Sequence, residues 1–330
     1  MRIKNLKFAM IFVVLITLFL FEVTEALKLS LTIETDKDLY SVGDHVSIVG
    51  KLMINGSPVT EALIGLEIDD AKGQLFTLRA IKSGPNATGP WPLEILEVTT
   101  CDSSGNPKSN FRKGEDLGFK ISVKNNMATS CDLMIIITLL YANAEPFYAF
   151  VAYQGSLDPK QSTSFMIWPI SIPDDAIAGE AVAYVSALDK LLKDGGSPYC
   201  PEVKVAFNIT DGSATKKINS EPQYGEETFN LTVTIPHTTV VVGNYTIYAR
   251  AHWSLYITSN MSTFEVKLKG DFNNDGKINM KDIAVVAKAF GSAPGDPNWT
   301  PEADLNNDGK IDMKDISIIA KTFGAEAIDP

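Results

Sequence analysis

From residue 29 to residue 269 apolar and polar residues alternate in runs of about five to ten, rich in Val, Ile, Thr and Tyr. Gly, Pro, Asn and Asp separate the runs, and helical periodicity is weak, so this stretch reads as half-buried strands. An early set covers 29–35, 46–54, 63–70 and 75–81. A late set covers 228–236, 244–253 and 262–267. Between them lie 93–100, 117–125, 133–141, 148–153, 164–172, 181–187 and 203–209. In Phe229-Asn-Leu-Thr-Val-Thr-Ile235 the alternation turns Asn230 and Thr232 to solvent, and the stretch from Gly243 to Ala249 does the same for Asn244 and Thr246.

Four early strands leave a sandwich without half of its core, and the three late ones complete it. The middle set supplies a second sandwich, inserted at a loop of the first. The turn Phe111-Arg-Lys-Gly114-Glu115 mirrors Tyr40-Ser-Val-Gly43-Asp44, and the corner Ile172-Pro173 mirrors Ile235-Pro236. The segment from Thr35 to Pro58 resembles the Ig-like domains of macroglobulin and invasin-type surface proteins, and the middle set resembles the CARDB family of adhesion-type sandwiches. The expected fold is mainly β: two Ig-like sandwiches, the second nested in the first, and a small helical module. Its parts are 27–84 with 211–269, then 92–210, then 270–324 and a tail 325–330. Three tandem modules are the alternative.

Past Lys269 the period changes. The run Asp271-Phe-Asn273-Asn-Asp275-Gly276-Lys277-Ile278-Asn279-Met-Lys-Asp282 returns as Asp304-Leu-Asn306-Asn-Asp308-Gly309-Lys310-Ile311-Asp312-Met-Lys-Asp315, a repeat of 33 residues. Oxygen side chains stand at positions one, three, five, nine and twelve, with Gly at six. A hard cation such as calcium requires such a set, completed by the backbone carbonyl of position seven. The side chains of Asp271, Asn273, Asp275 and Asp282 with the Lys277 carbonyl form one ligand set. Asp304, Asn306, Asp308 and Asp315 with the Lys310 carbonyl form the other, and Asn279 and Asp312 are expected to act through water. Ile283, Val286, Ala287 and Phe290 then mark one apolar helix face, as do Ile316, Ile319, Ala320 and Phe323; Gly291 and Gly324 end the helices. Ile278 and Ile311 are expected to join the loops back to back in a short β-bridge.

With a strand-like run in front and Asp at position twelve, the unit is loop–helix and not a full EF-hand. It resembles the type I dockerin module. That resemblance implies two calcium ions and a cohesin-type protein partner. It implies partner contacts at Met280, Lys281, Lys288, Met313, Lys314 and Lys321, either copy being able to dock. The Met-Lys pairs depart from the hydroxyl pairs of cellulosomal dockerins. The linker 292–301, with its prolines, joins the units, and Trp299 is expected to pack between them.

Net charge is −11, which argues against nucleic acid as a partner. Arg2, Lys4 and Lys7 precede an apolar run from Phe8 to Phe21, and Thr24-Glu-Ala26 offers a cleavage site, so residues 1–26 read as a signal peptide. Membrane contact is then expected only if that signal stays uncleaved. Seven sequons fit an exported glycoprotein: Asn55, Asn86, Asn208, Asn230, Asn244, Asn260 and Asn298. Cys101 and Cys200, at the ends of the insert's outer strands, are expected to pair as a disulfide, leaving Cys131 free.

Catalytic signatures are missing. His45, His237 and His252 are scattered, and the chain has no H-E-x-x-H, G-x-S-x-G or phosphate loop. Carboxylates abound, but two sandwiches leave no length for a catalytic domain. Trp91, Trp168, Trp253, Tyr148 and Tyr153 suit sandwich packing, or else a carbohydrate platform. Two readings follow. One is a non-catalytic surface or adhesion protein whose tail docks on a cohesin-type partner. The other is an accessory of extracellular polysaccharide breakdown that binds cell-surface or insoluble glycan, or cleaves it.

Overall fold

The computed structural model describes residues 27–85, 87–210, 220–225, 227–237 and 239–328; the signal-like segment and the sequon at Asn86 lie outside them. The chain opens with β1 (Leu29–Thr35), β2 (Leu39–Ser41), β3 (His45–Ile54), β4 (Ser57–Pro58), β5 (Leu63–Asp69) and β6 (Leu75–Lys82). It continues through β7 (Leu93–Cys101), β8 (Asn110–Arg112), β9 (Asp116–Asn125), β10 (Cys131–Tyr141), β11 (Pro146–Leu157), β12 (Ser162–Ser171), β13 (Gly179–Leu188) and β14 (Val203–Thr210). Then come β15 (Gln223–Tyr224), β16 (Phe229–Thr234), β17 (Thr239–Val241), β18 (Gly243–Trp253) and β19 (Tyr256–Lys267). The C-terminal part holds α1 (Met280–Ala289), α2 (Met313–Lys321) and β20 (Glu326–Ile328). The molecule is mainly β.

One sandwich packs the sheet β1-β3-β16-β15, with β4 beside β3, on the sheet β2-β19-β18-β5-β6. The other packs β7-β9-β12 on β8-β14-β13-β10-β11. Apart from the small strands β4 and β15, the two have the same strand order. β16, β18 and β19 stand where β12, β13 and β14 stand in the second. The mirrored turns are one device used twice. Gly43 N–H donates to Ile235 O at 2.9 Å, and Gly114 N–H to Ile172 O at 2.9 Å. Both glycines sit at positive φ, +76° and +72°, where a side chain is strained. Beside them the Asp44 carboxylate accepts from Ser41 N–H, and Glu115 from Arg112 N–H.

The sandwiches meet sheet to sheet, so β5, β10 and the inner parts of β6 and β13 are buried on both faces. Leu78 joins Met134, Ile136, Leu188 and Leu192 in an apolar patch between them. The Thr138 hydroxyl donates to Leu78 O at 2.9 Å and accepts from Leu78 N–H at 3.1 Å. An added Cβ on Gly65 would lie 2.8 Å from a Leu192 methyl, so a larger residue there would make the Leu192 side chain shift. Much of the seam is polar. Arg79 donates to Glu202 and to Ser220 O while its guanidinium lies 3.4 Å from the Tyr184 ring centre. The Glu67 carboxylate accepts from Leu192 N–H, and Lys193 pairs with Asp69 at 2.8 Å.

Two expectations are corrected here. Cys101, Cys131 and Cys200 are all buried free thiols. Cys200 lies beside Glu94 and Ile95, at the start of β7, whereas Cys101 ends that strand. Six residues of strand separate those points by roughly 20 Å, far beyond disulfide reach. Residues 325–328 are not a tail. Ala325 is buried, and β20 pairs in parallel with β17, fastening the helical module to the first sandwich. Ile278, Val286, Ile311 and Ile319 share one continuous apolar core with Val240 and Phe264 of that sandwich.

Candidate metal centre and docking surface

β19 runs directly into the first loop, so no helix enters it. In each loop, side-chain oxygens fold the backbone. Asp271 accepts from the N–H groups of Asp275 and Gly276, and Asp304 from those of Asp308 and Gly309. Asn273 Oδ1 and Asn306 Oδ1 accept from the position-five N–H, at 3.0 and 2.9 Å. Gly276 and Gly309 turn the chain at φ +75° and +79°. At position twelve Asp282 accepts from Phe272 and Asn279 N–H, and Asp315 from Leu305 and Asp312 N–H. Both position-twelve carboxylates are fully buried.

Carboxylate oxygens of Asp271, Asp275 and Asp282 lie within 4.8 Å of one another. Three like charges so close, one of them buried and bonded to neutral N–H groups, favour a bound cation, and the single ammonium of Lys281 at Asp275 offsets only part of that charge. The donors are all oxygen, which suits a hard divalent ion. The residues present therefore fit calcium. Asp271, Asn273, Asp275 and Asp282 with the Lys277 carbonyl would hold it in the first loop. Asp304, Asn306, Asp308 and Asp315 with the Lys310 carbonyl would hold it in the second. Asn279 and Asp312 also serve as helix N-caps, accepting from Lys281 and Lys314 N–H at 2.9 and 2.7 Å. Asp282 and Asp315 complete capping boxes, so each ligand at position twelve also starts a helix.

The isoleucines do not bridge loop to loop. Ile278 N–H donates to Ala325 O and its carbonyl accepts from Gly324 N–H, at 2.9 and 2.8 Å. Ile311 makes the same two bonds with Ser292 and Gly291, at 3.1 and 2.8 Å. Each loop is thus tied to the segment behind the other unit's helix, and the repeat of 33 becomes a two-fold arrangement. The signal was present, since Gly324-Ala325 stands 33 residues after Gly291-Ser292, although the two segments differ in composition. Trp299 is partly buried against this core.

The helix faces also differ from expectation. Val286 and Ala289, and on the second helix Ile319, are buried, while Phe290 and Phe323 are 48% and 51% exposed. Met280 and Met313 are 66% and 64% exposed, so each helix keeps an apolar flank open at equivalent positions. Lys281 and Lys314 reach back to Asp275 and Asp308, at 3.3 and 2.8 Å, while Lys288 and Lys321 are exposed. The Lys314 ammonium holds the Asp308 carboxyl below its ordinary range.

Other sequence candidates are dispersed. His45 bonds the Thr234 hydroxyl, and His237 pairs with the buried Glu145 at 2.6 Å. Tyr153 stacks on Phe165, Trp253 stacks on Tyr256, and Trp91 packs on the insert's core. Among the described residues, Trp253 packs on the first sandwich's core and Trp91 and Tyr153 on the insert's. Among the sequons, Asn55, Asn208, Asn244 and Asn298 are exposed, while Asn230 and Asn260 are half-buried.

Residues 269–324 match the family model described as "Dockerin type I domain". No curated protein matches the chain. Among solved structures, a type II cohesin–X-dockerin complex of Acetivibrio cellulolyticus is 25% identical, over 30% of this chain and 70% of that one, at TM-score 0.17. Salmonella alpha-2-macroglobulin is 12% identical over 72% of this chain, which spans only 20% of that protein's length, at TM-score 0.22. Bacteroides uniformis β-glucuronidase is 9% identical over 50% of this chain and 26% of that one, at TM-score 0.27. These overlays are too loose to carry an argument about this chain. The segment match and the duplicated loop–helix geometry agree with each other, and residues 269–324 form a dockerin type I module.

Proposed function

We propose that this is an exported, non-catalytic surface protein that docks on a cohesin-type partner through its C-terminal module, with two calcium ions folding the loops. The observation that carries the reading is the two-fold open flank of Met280, Phe290, Met313 and Phe323 on a dockerin module. A docking face in duplicate offers a partner two equivalent approaches, related by a half-turn. The nested sandwiches serve as the spacer that presents this face. Lys288 and Lys321 flank it with positive charge in an otherwise acidic protein.

The test is capture of a cohesin module by the full chain in calcium and in chelator. Binding should need calcium. It should survive Met280→Asp or Met313→Asp alone and fail when both are changed. Equal capture in chelator, or by the double variant, would reject the reading. Retention on insoluble polysaccharide without any cohesin binding would favour the accessory role in glycan breakdown.

A further inference from the structure

β18 and β19 form a hairpin in which Trp253 pairs with Tyr256, leaving a two-residue loop of Ser254 and Leu255. Ser254 takes a positive φ of 54°. Such loops favour Asn-Gly or Asp-Gly. Here the second place holds leucine, and its side chain is 93% exposed. Trp253 and Tyr256 stack next to it with ring centres 6.1 Å apart, Ile257 is open beside them, and Met261 is open further along β19, opposite Tyr248. Leu255, Tyr256 and Ile257 thus form an apolar, aromatic tip that stays exposed among the described residues. No acidic residue occurs between Glu227 and Glu265, in a chain with 40 of them.

The position of the tip indicates its partner. Asn260 Nδ2 donates to Leu31 O at 3.0 Å, and Leu39 lies opposite Glu265, so β1 advances in step with β19. Tracing both strands back places Leu27, itself exposed, beside Tyr256. The described residues therefore begin at the tip's end, and the sequence ahead of them carries the apolar run from Phe8 to Phe21. The docking module lies at the other end of β19. We propose that the Trp253–Ile257 hairpin tip inserts into a lipid bilayer surface, with Leu255 and Ile257 among the acyl chains and Trp253 and Tyr256 at headgroup level. Aromatic residues prefer that depth, and the acid-free stretch avoids repulsion by anionic headgroups. This surface is separate from the docking face, so either proposal can fail without the other.

The native cysteines are all buried, so a nitroxide can be confined to one introduced site. Protein beginning at Leu27, without the apolar run from Phe8 to Phe21, and carrying Leu255→Cys, or Asn298→Cys on the docking module, would be labelled and mixed with vesicles of phosphatidylcholine and phosphatidylglycerol. The label at 255 should become accessible to oxygen and shielded from a water-soluble nickel relaxant, and the label at 298 should stay water-exposed. Leu255→Asp with Ile257→Asp, at unchanged melting temperature, should weaken vesicle binding at least about tenfold. Equal water exposure of both labels would overturn the proposal. So would shielding at 255 without vesicles together with a doubled mass, because the tip would then be covered by a second copy.

Discussion

Arg79 of β6 and Glu202, ahead of β14, form a buried ion pair at 2.6 Å that crosses the seam between the two sandwiches. Glu202 also accepts from Ala80 N–H, and its own N–H donates to Ala80 O. A pair so placed contributes little over an apolar replacement, but breaking it strands a charge out of water. Arg79→Met should cost about 3–5 kcal/mol by chemical denaturation, and adding Glu202→Met should restore most of the loss. A single variant as stable as the parent would show that the seam opens to solvent.

Glu67 lies in the same seam, and burial, followed by the charge of Asp69, pushes its carboxyl up to about 7. The folded state then holds a proton that the unfolded chain releases near 4.5. Between those values the native form binds more protons, so stability falls as pH rises towards 7. The cost at pH 8 should be on the order of 3 kcal/mol. Glu67→Gln should remove that pH dependence and melt higher than the parent at pH 8. Parallel melting curves against pH for the two proteins would contradict this.

The second calcium loop carries Asp312 where the first carries Asn279. The extra charge should make it the tighter site, and Asn279→Asp should narrow the gap in calorimetric titration. Bound ions add stability by mass action, about 2.7 kcal/mol per site at a hundredfold excess over Kd. Asp282→Ala with Asp315→Ala should abolish both the binding and the calcium-dependent rise in melting temperature. Each change also removes a capping-box carboxylate, so helical signal should fall as well.

Cys200 is buried deeply enough to push its thiol up to about 12, and burial also raises Cys101 and Cys131. Native protein should therefore resist alkylation, and denatured protein should take up three groups without prior reduction. A mass deficit of two hydrogens would restore the disulfide.

A fragment ending at residue 84 should not fold, because β3 would lose β16 and β5 would lose β18. Circular dichroism should show a disordered chain. Excising residues 92–210 keeps every strand of the first sandwich but uncovers Leu78, Glu67 and Arg79. That protein should fold with a lower melting temperature.

Most strands were legible because one face of each is polar. The sheet-to-sheet seam was not. Glu67, Asp69 and Arg79 look like solvent-facing residues of alternating strands until a second sandwich covers them. The unbroken apolar runs from Leu133 to Ile137 and from Ala181 to Val185 hinted at burial on both faces. In the calcium loops, residue type and spacing announced the ligands directly. The helix faces misled because Phe290 and Phe323 fit a core-facing period yet remain open. Nothing in Glu326-Ala-Ile328 alone marks a strand, since its partner β17 lies more than eighty residues earlier.

The parallel pairing of β2 with β19, Leu39 to Glu265 through Ser41 to Lys267, bears on how the protein behaves under tension. The described residues begin near the hairpin tip and end at the docking module, so a pull between these points runs along β19. The bonds of that parallel ladder are then loaded together in shear and do not unzip one after another. The nested sandwich hangs from one side of the loaded sheets, outside the line of force. A partner that tugs on the docking module would strain the outer sandwich first and leave the inner one at rest.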